Sequence, residues 1–167
     1  MEVEVVPILL SERLRLRPVN ESDLPIIYLL KNEEEVLKYQ YVSPKTLDEC
    51  HEFMIRYRSI DLNEPSYLWA VELDGTMIGS ICLWNFTEDF KAELGVEILP
   101  EYFRLGYMSE SAQVVLEYAF AVVGLSEVWA YTHPDNYPAR NFLGKLKFDE
   151  ISTSGSEIIL VRTSANN

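Results

Sequence analysis

The segment Ile98-Leu99-Pro100-Glu101-Tyr102-Phe103-Arg104-Leu105-Gly106-Tyr107-Met108-Ser109-Glu110 reads as the end of a strand, a tight loop carrying an arginine and a glycine, and the start of a helix. Such a junction suits an anion, because the first helical turn offers backbone N–H groups and the positive end of the dipole, and Gly106 permits close backbone approach. It contains neither a P-loop lysine motif nor a dinucleotide GxGxxG. Just upstream, Glu93, Gly95 and Glu97 alternate with Leu94, Val96 and Ile98, so the two carboxylates share one strand face with a glycine between them. Four residues of strand separate their Cα atoms by about 13 Å. That exceeds the roughly 5 to 9.5 Å of a paired-acid glycosidase. Cys50, Cys82, His51 and His133 form no metal-ligand spacing, so no metal is expected and both thiols are expected to be reduced.

These residues need elements to hold them. Leu14 and Leu16 alternate with Arg13, Arg15 and Arg17, a half-buried strand stopped by Pro18. Asn20 caps a helix with Asp23 in its first turn and Leu24, Ile27 and Tyr28 on one face, and Thr46 opens a second helix with Phe53, Met54 and Tyr57 in a stripe. A hairpin follows: residues 67–73, the Asp74-Gly75 turn, then 77–84. The strand bearing the acids spans 92–99 and ends at Pro100. After the loop comes a helix with Ala112, Val115, Leu116, Ala119, Phe120 and Val123 at helical spacing and Gly124 as its stop. A buried strand at 128–132 precedes a short helix opened by Asn136 with Pro138 in its first turn and Ala139, Phe142, Leu143 and Leu146 inward. Segments 148–151 and 157–162 close the chain as a hairpin, with 163–167 frayed. Trp69, Trp84 and Trp129 fall on strands and read as core. Irregularly interleaved strands and helices indicate an α+β or mixed-sheet α/β fold.

The 167 residues fit one domain, 1–167, large enough to bury about 70% of the unfolded surface. Fourteen Lys and Arg against 27 Asp and Glu give a net charge of −13, which disfavours nucleic acid and steers cationic small molecules or basic peptides inward. The apolar run Val5 to Leu10 is far shorter than the roughly 20 residues of a membrane helix, and Glu2 and Glu4 stand where a signal peptide is basic. A cytoplasmic protein without a membrane partner is expected.

The loop at 98–110, taken together with Asn136-Tyr137-Pro138-Ala139-Arg140-Asn141-Phe142-Leu143-Gly144-Lys145-Leu146-Lys147-Phe148, resembles the GNAT acetyltransferases, in particular the branch like the ribosomal-protein N-terminal acetyltransferases RimJ and RimL. Ser11-Glu12-Arg13-Leu14-Arg15-Leu16-Arg17-Pro18 is similar to that branch's opening strand, and Asp23 fits the helix after it. Ile78-Gly79-Ser80-Ile81 and Ala92-Glu93-Leu94-Gly95 resemble its central strands. The resemblance implies a mixed, mostly antiparallel sheet splayed between two strands and flanked by about four helices. It implies acetyl-CoA as donor, with no metal: backbone bonds from Ile98 and Leu99 to the pantetheine arm, a diphosphate cradle from Phe103, Arg104, Leu105, Gly106, Tyr107, Met108 and Ser109, a contact from Asn136, and charge compensation from Arg104 and Arg140. The chain also departs from the family pattern. Phe103 and Met108 replace two residues of the usual Gln/Arg-x-x-Gly-x-Gly/Ala loop, Ala139 stands where serine is common, Lys147 replaces a glycine, and Leu143 replaces the tyrosine that protonates the departing thiolate in many members.

Acetylating an amine requires its deprotonation, donors for the developing oxyanion and a proton for the thiolate. Glu93 is the candidate base, with Gly95 leaving room for an acceptor, and Glu97 could attract a cationic acceptor. Tyr102, Tyr107, Tyr131 and Tyr137 could each supply a hydroxyl, and spacing selects none. Residues 33–41, 62–67 and 86–91 should line the acceptor side, their acids Glu33, Glu34, Glu35, Glu64, Glu88 and Asp89 suiting a protein N-terminus, a polyamine or a small amine. The expected activity is acetyl transfer to a primary amine by direct attack. The alternatives are a non-catalytic acyl-CoA-binding module and an interaction domain without cofactor. A homodimer is a further expectation.

Overall fold

A computed structural model describes residues 3–40 and 42–166. In chain order the strands are β1 (Val3–Val5), β2 (Leu9–Leu10), β3 (Leu14–Pro18), β4 (Ser59–Asp61), β5 (Tyr67–Leu73), β6 (Thr76–Trp84), β7 (Lys91–Ile98), β8 (Glu127–Thr132), β9 (Asp149–Ser154) and β10 (Glu157–Thr163). The helices are α1 (Leu24–Leu30), α2 (Glu34–Leu37), α3 (Leu47–Tyr57), α4 (Tyr107–Tyr118) and α5 (Tyr137–Lys145). Eight strands form one open sheet in the order β2-β3-β5-β6-β7-β8-β10-β9, and β1 pairs separately with β4. Every pairing in the large sheet is antiparallel except β7 with β8.

The mixed, mostly antiparallel sheet matches expectation. Among the described residues there are five α-helices rather than about four, the extra one being the four-residue α2, too short to show a period. The closing hairpin inserts β10 beside β8 and leaves β9 at the sheet edge, in keeping with the buried apolar residues Ile158, Leu160 and Val161 on β10. The tail is ordered further than expected: β10 runs through Thr163 and a short 3₁₀ turn covers Ser164–Asn166.

Period-two alternation supplies both faces of the sheet. Trp69, Val71, Ile81, Leu83 and Leu94 turn to one side and pack with Ala112, Val115, Leu116 and Leu143, from α4 and α5. Leu68, Ala70 and Met77 turn to the other side and meet Ile27 and Leu30 of α1 and Cys50 and Met54 of α3. Tyr28, expected to face inward, is exposed, and Leu30 takes the buried place. Burying each such leucine or isoleucine contributes about 1.5–3 kcal/mol.

Two capping boxes fix the helix starts. Asn20 accepts from Ser22 N–H while Asp23 accepts from Asn20 N–H, and Thr46 and Glu49 reciprocate in the same way before α3. Asp23 does more than cap. It is almost fully buried and receives two 2.8 Å bonds from the Arg17 guanidinium, whose Nε is also paired with Glu72.

One glycine is required by close approach rather than by a turn. A Cβ on Gly79 in β6 would lie 2.3 Å from the Glu97 carbonyl oxygen and 3.0 Å from the Ile98 Cα of β7. Gly79→Ala is therefore expected to cost about 1–3 kcal/mol through overpacking, read as a lower urea midpoint at unchanged slope.

Candidate active site

β7 and β8 pair over only three residues, Lys91↔Glu127, Ala92↔Val128 and Glu93↔Trp129, after which β7 runs on to Ile98 and β8 to Thr132 without meeting. The gap is the inner wall of a cleft of about 1320 Å³. Leu99 N–H donates to the Ile78 carbonyl of β6, so Ile98↔Gly79 is a pair that exchanges no bonds, and the alternation of an antiparallel ladder turns the N–H and C=O of Ile98 and Val96 toward β8. Unpaired strand edge therefore faces the cleft. Leu99 cannot contribute as expected: its N–H serves Ile78, its carbonyl accepts from Tyr102, and its side chain is buried beneath α1 and α3. Val96 takes its place, a residue the sequence pattern did not single out.

The cleft continues past Ile98 to the start of α4. Phe103, Arg104, Gly106, Tyr107, Met108 and Ser109 line it, whereas Leu105 points to solvent. Arg104 (φ 61°) and Gly106 (φ 81°) both adopt left-handed backbone, which folds the loop tightly. Gly106 is the N-cap of α4 and brings no capping side chain, and the first intrahelical bond runs from Glu110 N–H to Gly106 C=O. The N–H groups of Tyr107, Met108 and Ser109 thus have no acceptor within the helix. The Met108 Cε lies 3.1 Å from where a Cβ on Gly79 would stand, so this side chain packs toward β6.

Asn136 lines the cleft and caps α5, its Oδ1 accepting from Ala139 N–H at 3.2 Å. Arg140 is placed otherwise than expected. It points away from the cleft, donating to Glu150 at 2.7 and 3.1 Å and to the Pro134 carbonyl at 2.9 Å. A neighbouring acid within reach on β9 explains this. Arg104 and Lys145 are the cleft-lining cations at this end among the described residues. After α5 the chain closes a Schellman motif, Phe148 N–H to Leu143 C=O and Lys147 N–H to Gly144 C=O, and Lys147 is forced to φ 64°. Lys147→Gly is expected to raise stability by about 1 kcal/mol, seen as a higher urea midpoint.

Glu93 and Glu97 both line the cleft, in different settings. Glu97 accepts from Lys31, the residue after α1, at 2.8 Å, and that ammonium also sits 4.6 Å from the Phe53 ring centre, so its charge is balanced internally. Glu93 has no cationic partner among the described residues: the Asn85 amide is 3.5 Å away, and burial, with Glu157 adding, pushes its pKa up against that weak contact. The space over Gly95 is not open to an acceptor, because the Cys82 sulfur fills it, 2.8 Å from where a Cβ would stand. Burial pushes the Cys82 thiol up to about 12, which leaves it inert at neutral pH.

The acceptor half differs from expectation in its walls. Of the acids named from sequence, Glu35 lines the cleft and Glu33, Glu34, Glu64, Glu88 and Asp89 do not, and Ser66 is the contribution from 62–67. Tyr41 lies outside the described residues. Trp84, read as core, is 44% exposed and lines the cleft beside Glu93. The segment after α2 lines the cleft with Lys38, Tyr39 and Gln40, and Tyr39 stacks on His133 at 5.5 Å and 28°. Among the four tyrosines, all cleft-lining, Tyr131 stands two residues beyond the Glu93↔Trp129 pair on the same sheet face. Burial, then Glu93 and Glu157, push its pKa up, so its hydroxyl stays protonated at neutral pH.

A splayed parallel pair, exposed strand amides and an uncapped helix start form one continuous cleft, and a family model described as an acetyltransferase (GNAT) domain matches residues 13–149. The chain belongs to the GNAT acetyltransferase family. As a GNAT protein it is an acetyl-CoA-dependent N-acetyltransferase. Its sequence is 28% identical to the uncharacterized N-acetyltransferase YoaA of Bacillus subtilis over 148 residues, 86% of this chain and 84% of that protein. It is 26% identical to the spermidine N(1)-acetyltransferase of Escherichia coli K12 over 139 residues, 83% and 74% of the two chains. The fold is shared with the Vibrio cholerae spermidine N-acetyltransferase solved with CoA and spermine, at a TM-score of 0.82 and 20% identity, covering 93% of this chain and 98% of that one. Among the described residues no three His, Cys, Asp or Glu side chains gather as a metal site, and no helix is long and apolar enough to cross a membrane.

Proposed function

We propose that residues 1–167 form one GNAT domain that acetylates a primary amine in the cytoplasm, with Glu93 as the base. The observation that carries this reading is the continuity of the cleft: amides at the start of α4 lead to the Ile98 and Val96 edge of β7, and that edge leads to Glu93. Acetyl-CoA, when bound, supplies a thioester carbonyl open to attack by an amine. The chain's own groups do the rest. The amides of Tyr107, Met108 and Ser109 and the side chain of Arg104 hold the diphosphate, and the Asn136 amide and the Val96 and Ile98 backbone hold the pantetheine arm. Glu93 removes the amine proton, directly or through one water. Tyr131 keeps its proton near the apex of the splay, where a departing thiolate needs one, and so fills the role that buried Leu143 cannot.

The acceptor remains a protein N-terminus, a polyamine or a small amine. Glu35, Tyr39, Trp84 and the uncompensated Glu93 favour an amine with an aliphatic body passing between aromatic rings. The narrower affinity to the ribosomal-protein N-terminal acetyltransferases rests on the opening motif from Ser11 to Pro18, and a homodimer is part of the same reading. The test is thiol release from acetyl-CoA with spermidine, serine- and alanine-led peptides and small aliphatic amines. Release well above background with at least one acceptor is expected. CoA binding without release for any of them would make the protein an acyl-CoA-binding module.

A further inference from the structure

The opening strand reaches the α4 loop through a clasp that no site role yet explains. Glu110 lies in the first turn of α4, where a carboxylate competes with any anion for the positive helix end. Both of its oxygens are engaged from the β2–β3 turn: Arg13 Nε donates to Oε1 at 2.8 Å, Arg13 N–H donates to Oε2 at 2.8 Å, and the Ser11 hydroxyl donates to Oε2. The same guanidinium donates to the Leu105 carbonyl at 3.2 Å and lies 4.4 Å from the Tyr107 ring centre. It also approaches within 3.3 Å of where a Cβ on Gly106 would stand. In a trans peptide the N–H points opposite to the C=O, so the bond to Leu105 turns the Gly106 N–H away from Arg13. Arg13 itself is outside the cleft, and Gly106 lines it.

We infer that Arg13 is a positioning residue for the diphosphate end of the cleft: it cancels the Glu110 charge and fixes the orientation of the Leu105–Gly106 peptide. This rests on the proposed use of the α4 start by CoA. Without Arg13, an uncompensated carboxylate faces the same helix start as the diphosphate. Removing that carboxylate as well then restores binding, which a purely mechanical brace would not do.

Calorimetric titration of CoA into the whole protein at low salt tests this with four variants: wild type, Arg13→Gln, Glu110→Gln and the double substitution. Arg13→Gln is expected to weaken CoA on the order of tenfold, Glu110→Gln by less than about threefold, and the double variant to regain at least about half of the loss on a logarithmic scale. In turnover, Arg13→Gln is expected to raise KM for acetyl-CoA with kcat at saturation unchanged. Should Arg13→Gln disturb folding, Arg13→Lys, which keeps the charge and loses the fork, is expected to stay within about threefold of wild type. An Arg13→Gln affinity equal to wild type, or a double variant no tighter than Arg13→Gln, would overturn the inference while leaving the proposed function standing. A wild type that binds no CoA would overturn both.

Discussion

Glu93→Gln is expected to lower turnover at neutral pH on the order of a hundredfold while CoA affinity is kept. Glutamine preserves the volume beside Trp84 and the contact with Asn85 but no longer accepts a proton from the amine. The pH profile separates this from a packing effect. Burial raises the Glu93 pKa, the Asn85 contact opposes the rise and Glu157 adds to it, so the carboxylate form appears over a higher pH range than for an ordinary glutamate. Activity of the wild type should climb as pH rises through that range, since only the ionised form acts as a base. In Glu93→Gln the climb should vanish and leave the amine's own deprotonation as the one rising limb. Initial rates of thiol release at saturating acetyl-CoA give both quantities, and a variant as fast as wild type at neutral pH would remove Glu93 from the role.

Asp23→Ala is expected to cost about 3–5 kcal/mol of stability, the scale for breaking one partner of a buried ion pair. The side chain accepts two bonds from Arg17 and one from Asn20 N–H, so its removal strands a largely buried guanidinium and opens the cap before α1 at once. Urea unfolding measures the loss. A change below about 1 kcal/mol would show that Glu72, which also pairs with Arg17, satisfies the guanidinium alone. The consequence extends to the cleft, because α1 is followed directly by Lys31, the partner of Glu97.

Strong local rules made much of the fold legible in the sequence. The Asp74-Gly75 turn takes the positive φ values of 49° and 83° that its type demands, and Gly124, at φ 80°, stops the helical run as its position implied, although that run is α-helix only to Tyr118 and a π-helical turn from Ala119 to Val123. Period-two alternation placed Leu94 and Glu93 on their correct faces, and Asn20 and Thr46 announced their helices. Short elements escaped. β1, β2, β4 and α2 each span two to four residues, too few for a period; β1 and β4 form because each completes the other from far along the chain, and β2 because it folds back on β3. At the site, the loop and both acids could be named in advance because their chemistry lies in contiguous residues. What sequence concealed was pairing over distance. Nothing local says that Arg140 turns to Glu150, that Lys31 neutralises Glu97, or that Leu99 gives both backbone groups to its neighbours. The exposure of Trp84 follows from its register opposite Glu93 at the cleft, a fact of sheet assembly rather than of residue type.

The brevity of the β7–β8 pairing has a mechanical meaning. Three rungs form the seam between two slabs, one built on β2, β3, β5, β6 and β7 and the other on β8, β10 and β9, and at the heel of that seam Lys91 bridges to Glu127 at 3.4 Å. The arrangement works like a clothes-peg. Small rotations about the heel are magnified along the diverging jaws, so side chains there, remote from any chemistry, set how wide the jaws stand and which girth of guest they grip.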